Sequence, residues 1–222
     1  MDLGRVQRAA VTLFATKGFA ATGIRELGAE AGINSATLYH YVGSKESLLA
    51  LIIRSCLTEL TEAGTSAMRA SADPVVQLAG LVSSHVGITA VNQLTARVAE
   101  YEMRALTEAN RAELQAMRDE YEMLFGQVLE RGHRVGSFEI EDTTMCRLAI
   151  LEMCTGVAHW YRPGGRLGLE EVQRYFVGAA CRLIGVDRSE LDGADYLQEV
   201  RRLDSEPETH SADVWGTGAL AY

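Results

Sequence analysis

Proline is scarce: three residues in 222, at Pro74, Pro163 and Pro207, leave long stretches in which nothing covalent stops a helix. Cysteine is scarce too, and the four present, Cys56, Cys146, Cys154 and Cys181, stand singly. Without paired cysteines there is neither a zinc motif nor a dithiol, so reduced thiols are expected and no metal or other cofactor. The longest wholly apolar run, Leu48 to Ile53, is far short of the ~20 residues that a bilayer crossing needs. No basic leader followed by an apolar stretch opens the chain, so a cytoplasmic protein without membrane contact is expected. A Gly-x-Ser-x-Gly elbow, a phosphate-cradling Gly-rich loop and a His-Glu-x-x-His helix are all missing. Catalysis therefore has no candidate constellation, and the chain reads as a binding protein rather than an enzyme.

A surplus of positive charge is also missing, with a net charge of −9. The balance is uneven along the chain. Residues 1–55 hold six Lys or Arg against four Asp or Glu, while the remainder holds 15 against 26. Any contact with phosphate is expected near the N-terminus.

What is present is helical periodicity. Val6, Ala9, Ala10, Leu13 and Phe14 recur at the three-and-four spacing of one helix face, and Lys17-Gly18 is a stop signal. A second short helix reads from Ile24 to Ala31 and ends at Gly32. A third, from Ser35 to about Tyr41, has Asn34 as its cap. The link of about three residues between them fits a helix-turn-helix. Ser44 caps a long fourth helix to about Met68, and Asp73-Pro74 starts a fifth. The fifth runs at about 74–89, and further segments follow at about 91–106, 110–131, 142–161 and 169–185. In 110–131, Leu114, Met117, Tyr121, Leu124, Phe125 and Val128 form one stripe that Gly132 is expected to end. The expected fold is all-α with about nine helices: a helix-turn-helix domain at 1–50, a larger helical domain at 51–188, and an acidic, weakly ordered tail at 189–222.

The stretch from Thr22 to Leu49 resembles the DNA-binding signature of the TetR family of transcriptional regulators. Ala31-Gly32-Ile33, Thr37-Leu38-Tyr39 and Ser44-Lys45-Glu46 followed by Leu48 stand at the family's spacing. Gly28 departs from it, standing where alanine is usual. The resemblance implies a homodimer, a repressor by family default, that binds a palindromic operator in double-stranded DNA under control of a small-molecule effector. Candidate DNA-binding residues are Thr22, Arg25, Asn34, Ser35, Thr37, Tyr39, His40 and Tyr41, with Lys45 resembling the family's phosphate-contacting lysine. Their side chains suit phosphates and base edges. Tyr39 and Tyr41 equally fit packing within the small domain, and Thr22 and Ser44 equally fit helix caps.

Arg118-Asp-Glu-Tyr121, Gly136-Ser-Phe138 and Gly156-Val-Ala-His-Trp-Tyr-Arg-Pro-Gly-Gly165 resemble the actinobacterial branch that regulates fatty-acid and steroid-ring breakdown in response to acyl-CoA thioesters. That resemblance implies an acyl-CoA effector, with Arg97, Tyr101, Arg104, Tyr121, Trp160 and Arg162 as candidate contacts. Arginine would hold its phosphates and an aromatic ring would cover its adenine or pantetheine arm. Arg97 and Arg104 also fit plain ion pairs with Glu100 or Glu108. A free lipid, an aromatic compound or a cation is the alternative effector class. Dimerisation is placed by the resemblance on the eighth and ninth segments, 142–161 and 169–185, where Val172, Tyr175, Phe176, Ala179 and Leu183 make an apolar stripe.

Overall fold

A computed structural model of the chain describes residues 3–186, and no strand occurs among them. In order come α1 (Leu3–Lys17), α2 (Ile24–Ala31), α3 (Ser35–Val42), α4 (Lys45–Ala70), α5 (Pro74–Val91), α6 (Gln93–Tyr101), a 3-10 turn (Met103–Ala105), α7 (Glu108–Arg134), α8 (Thr143–Thr155), α9 (Val157–Trp160) and α10 (Leu169–Leu183). The all-α expectation holds. The one extra helix arises because the segment expected at 142–161 breaks at Gly156, where a glycine weakens the ladder and leaves α9 as a single turn.

The caps follow local chemistry. The Asn34 side chain accepts from Thr37 N at 2.8 Å, Ser44 Oγ from Ser47 N at 2.9 Å, and Asp73 Oδ1 from Val75 N at 2.8 Å. Asp142 does the same for α8, accepting from Thr144 N and Met145 N. Each satisfies a backbone donor that the first helical turn leaves open. Gly18 and Gly32 end their helices at φ 86° and 68°, a region that only glycine enters freely.

The chain forms two compact units. Among the described residues the first comprises those up to Leu57 together with Val91–Met117, and the second comprises Thr58–Ala90 with 118–186. This differs from the expected division at residue 50: the small unit is discontinuous, built from the helix-turn-helix, the first half of α4, all of α6 and the start of α7. The expected tail from residue 189 lies outside the described residues.

In the first unit α1 packs against α2 and against α6. The stripe read from sequence, Val6, Ala9, Ala10, Leu13 and Phe14, is buried, as are Leu27, Leu38, Leu48, Leu49, Ile52, Ile53 and Val98. The second unit has one hydrophobic core, drawn from Leu78, Leu81 and Val86 of α5, Phe125, Val128 and Leu129 of α7, Ile150 and Cys154 of α8, and Val172, Val177 and Ala180 of α10. Helix α5 is long and apolar enough to cross a membrane by length and composition alone. Its buried residues, from Val75 to Ala90, lie on nearly every side of the helix, which is the pattern of a core helix.

Two sequence readings in this unit change. Gly132 does not end α7, which runs on to Arg134 before Gly136 turns at φ 78°. Gly132 instead lies against the Phe138 ring, and its carbonyl accepts from Ser137 N and Phe138 N. Helix α10 has two apolar faces. Val172, Val177, Ala180 and Cys181 enter the core; of the stripe read from sequence, Val172 is thus buried and Phe176 packs against the core, while Tyr175 and Leu183 face outward, 69% and 45% exposed.

Candidate nucleic-acid interface

Helices α2 and α3 meet across a turn built on two glycines. Gly32 N donates to Ala29 O, and Ile33 N donates to Gly28 O at 2.8 Å, folding the turn back onto α2. A Cβ on Gly28 would stand 2.7 Å from the Ile33 carbonyl oxygen. The glycine is therefore required by the turn as built, although the family resemblance expects alanine there. Gly28→Ala is expected to cost about 1–3 kcal/mol, the usual range for forcing extra volume into a packed site. A circular-dichroism melt checks this, and an unchanged midpoint would show that the Ile33 carbonyl moves freely.

Helix α3 buries one residue, Leu38. Everything else on it is at least partly open, and Tyr39 and Tyr41 are 50% and 54% exposed, so they do not pack the small unit. His40 is exposed and meets Tyr41 edge-on at 5.3 Å between ring centres. Ser35 and Thr37 are half-buried at the start of the helix. Asn34 is exposed, its carbonyl oxygen spent on the cap, and Arg25 is exposed on α2. These residues therefore share one unit, and most present polar or aromatic groups at its surface.

Two candidates are corrected. Thr22 is fully buried, and its hydroxyl donates to Gly18 O at 2.9 Å, so it reaches no phosphate; nor does it cap α2, whose N-cap is Gly23. Lys45 is not a free cation at the surface. Its Nζ donates to Phe19 O and to Thr22 O, each at 2.8 Å, and lies 4.2 Å from the centre of the Phe19 ring. Its ammonium ties the start of α4 to the loop after α1.

The return segment supplies partners that the sequence did not suggest. Glu102 Oε1 accepts from Phe19 N at 3.0 Å, and Arg97 donates to Ala15 O at 3.2 Å. Glu46 Oε1 accepts from Thr107 N and Thr107 Oγ1, each at 3.1 Å, and from Asn110 Nδ2 at 2.7 Å. Burial alone would raise the Glu46 pKa, but the bonds from Asn110 and Thr107 outweigh it and hold the carboxyl below its ordinary value. Lys17 and Glu26 form an exposed ion pair between α1 and α2, and the bond from Lys17 lowers the Glu26 pKa.

The six effector candidates divide between the two units. Arg97, Tyr101 and Arg104 belong to the first unit and Tyr121, Trp160 and Arg162 to the second. Arg97 spends one of its guanidinium donors on the Ala15 carbonyl. Arg162 is exposed and donates to its neighbour's carbonyl, Tyr161 O. Trp160 is half-exposed and stacked on Phe176, 6.0 Å between centres. Tyr121 is buried in the core, where its hydroxyl pairs with His85 Nδ1 at 2.9 Å; His85 Nε2 meets Thr155 Oγ1 at 3.2 Å. Burial pushes the His85 pKa down to about 4, so its ring is neutral at neutral pH. The chain Tyr121–His85–Thr155 joins three helices through the middle of an apolar core. No spacing rule announced it.

A short exposed helix carrying aromatic and hydroxyl groups, preceded by a glycine turn and held on a small helical unit, defines a helix-turn-helix DNA-binding protein. The comparisons agree. Residues 7–52 match the model of bacterial regulatory proteins of the tetR family, and residues 71–184 match the tetracyclin repressor-like C-terminal domain. The HTH-type transcriptional repressor KstR2 of Rhodococcus jostii (strain RHA1) is 30% identical over 170 residues, 76% of this chain and 83% of that one. A solved tetR-family regulatory protein from Rhodococcus RHA1 superposes with a TM-score of 0.77 at 28% identity, over 82% of this chain and 96% of that one. The structure of AibR in complex with isovaleryl coenzyme A and operator DNA superposes with a TM-score of 0.70 at 24% identity, over 78% and 95%. The chain belongs to the TetR family and is a DNA-binding transcriptional repressor. Its relatives are named as regulators, not enzymes.

Proposed function

We propose that this repressor works in the cytoplasm as a homodimer on a palindromic operator, and that a small molecule bound in its second unit lowers its operator affinity. The observation that carries the DNA-contact reading is α3, which buries Leu38 and leaves Tyr39, His40 and Tyr41 open. Those three, with Arg25, Asn34, Ser35 and Thr37, are the contacts we assign. The dimer surface is the outward face of α8 and α10, where Met145, Leu148, Tyr175 and Leu183 stand exposed in one unit.

For the effector we propose an acyl-CoA thioester of lipid or steroid breakdown. KstR2 is a repressor of comparable length, and AibR has been solved with an acyl-CoA and its operator. Tyr121, His85 and Thr155 supply uncharged hydrogen-bonding groups within an apolar core, which suits a carbonyl attached to a hydrocarbon. Arg162 and Trp160 stay as candidates for the nucleotide arm. By population shift, a ligand that binds better to a form with misplaced recognition helices releases the operator.

Native mass spectrometry of the protein titrated with acyl-CoA thioesters, the matching free acids and CoA alone tests this reading. One thioester bound per subunit, with free acid and CoA rejected, is the expected result. A dimer that binds DNA but takes none of the thioesters would discard the effector assignment and leave the repressor standing.

A further inference from the structure

The polar ties in the first unit close into a ring. Lys45 holds Phe19 and Thr22 by their carbonyls. The amide of the same Phe19 is held by Glu102. From Glu102 the backbone runs through the 3-10 turn, with Ala105 N donating to Glu102 O at 2.9 Å and with Met103 and Leu106 buried, to reach Thr107. Thr107 and Asn110 then donate to Glu46, the neighbour of Lys45. Arg97 adds a second hold on the end of α1 through Ala15 O.

The whole of α2, the turn and α3 lies between Thr22 and Lys45, the two points that Lys45 draws together. Where those points are held determines where α3 points. Each is held a second time by the return segment: the loop after α1 through Glu102, and the start of α4 through Glu46. Three bonds converge on one carboxylate oxygen of Glu46, and bonds to a charged acceptor are stronger than neutral ones.

We propose that residues 102–110 set operator affinity without meeting DNA, by holding the helix-turn-helix at both ends, and that Glu102 and Glu46 are positioning residues for DNA recognition. The proposal rests on the DNA binding established for the family and is independent of the effector assignment.

The test uses the full-length protein and a DNA duplex selected by it from a randomised pool, with affinity read by fluorescence anisotropy. Glu102→Ala is expected to weaken binding ~10-fold, and Glu102→Gln, which keeps an acceptor for Phe19 N, to stay within ~threefold of the parent. Removing a carboxylate makes the protein less negative, which by long-range electrostatics alone would tighten DNA binding, so the expected sign is opposite to a charge effect. Glu46→Ala should resemble Glu102→Ala. The double variant should be little worse than either single one, because an open ring is not opened again. Amide exchange should quicken at Phe19 in Glu102→Ala and not in Glu102→Gln. Should Glu102→Ala fail to fold, Asn110→Ala removes the bond at the far side of the ring and carries the same expectation. Binding by the folded alanine variant within threefold of the parent, or a Gln variant as weak as the Ala variant, overturns the proposal.

Discussion

Tyr175→Glu is expected to make the protein monomeric at micromolar concentration and to lower operator affinity by about 100-fold or more, the equivalent of about 2.7 kcal/mol. Tyr175 is the most exposed large apolar side chain among the described residues, at 69%, and it lies on the α10 face turned away from the core. Across a two-fold axis one substitution acts twice. Each subunit would bring a carboxylate into contact with apolar groups, and the effective penalty for burying an unpaired charge is several kcal/mol per ion. The subunit itself should fold normally, because Val172, Val177, Ala180 and Cys181 on the inner face are untouched. Light scattering coupled to size exclusion reads the mass, and anisotropy with the selected duplex reads the affinity. A dimer that persists in Tyr175→Glu would show that the subunits meet on some other surface.

Gly132→Ala is expected to be the most destabilising single methyl in the second unit, lowering the thermal midpoint by roughly 10 °C, or about 3 kcal/mol for a chain of this size. A Cβ at this position would overlap the Phe138 ring, which is itself 3% exposed and has nowhere to go. Alanine ordinarily stabilises a helix interior by about 0.5–1 kcal/mol relative to glycine, so the sign of the result separates packing from propensity. Phe138→Ala removes the obstacle at its own cost, and adding Gly132→Ala to that variant should then cost little. Equal effects of the glycine substitution with and without the ring would show that the close approach is not the cause.

Local chemistry was legible from sequence. Asn34, Ser44 and Asp73 cap helices because a side-chain oxygen next to an open backbone donor needs no tertiary context. The stripe of α1 needs only helical periodicity. What failed to read were choices made by distant neighbours. Gly132 and Gly136 look alike in a string; one admits a phenyl ring and the other turns the chain, and only the position of Phe138 decides between them. Lys45 looked like a phosphate ligand because its neighbours fit a motif, but its partners are carbonyls 26 and 23 residues away. The bond from Arg97 to the Ala15 carbonyl went unread for want of any sign that α6 returns to α1. On α10 the stripe read from sequence mixes the two faces, Val172 turned inward and Tyr175 and Leu183 outward, since a helix apolar on two faces offers two stripes and periodicity does not separate them.

Because the reading head draws on residues up to Met117, half of the chain must leave the ribosome before that head can be completed. At about 5–20 residues per second, several seconds pass between synthesis of Tyr41 and of Asn110. A nascent or prematurely terminated chain carrying only the N-terminal motif would lack Glu102, Thr107 and Asn110, and with them the fixed placement of α3. Exchanging reading heads between relatives by a single cut after the motif would have the same flaw: the graft must carry 91–117 with it.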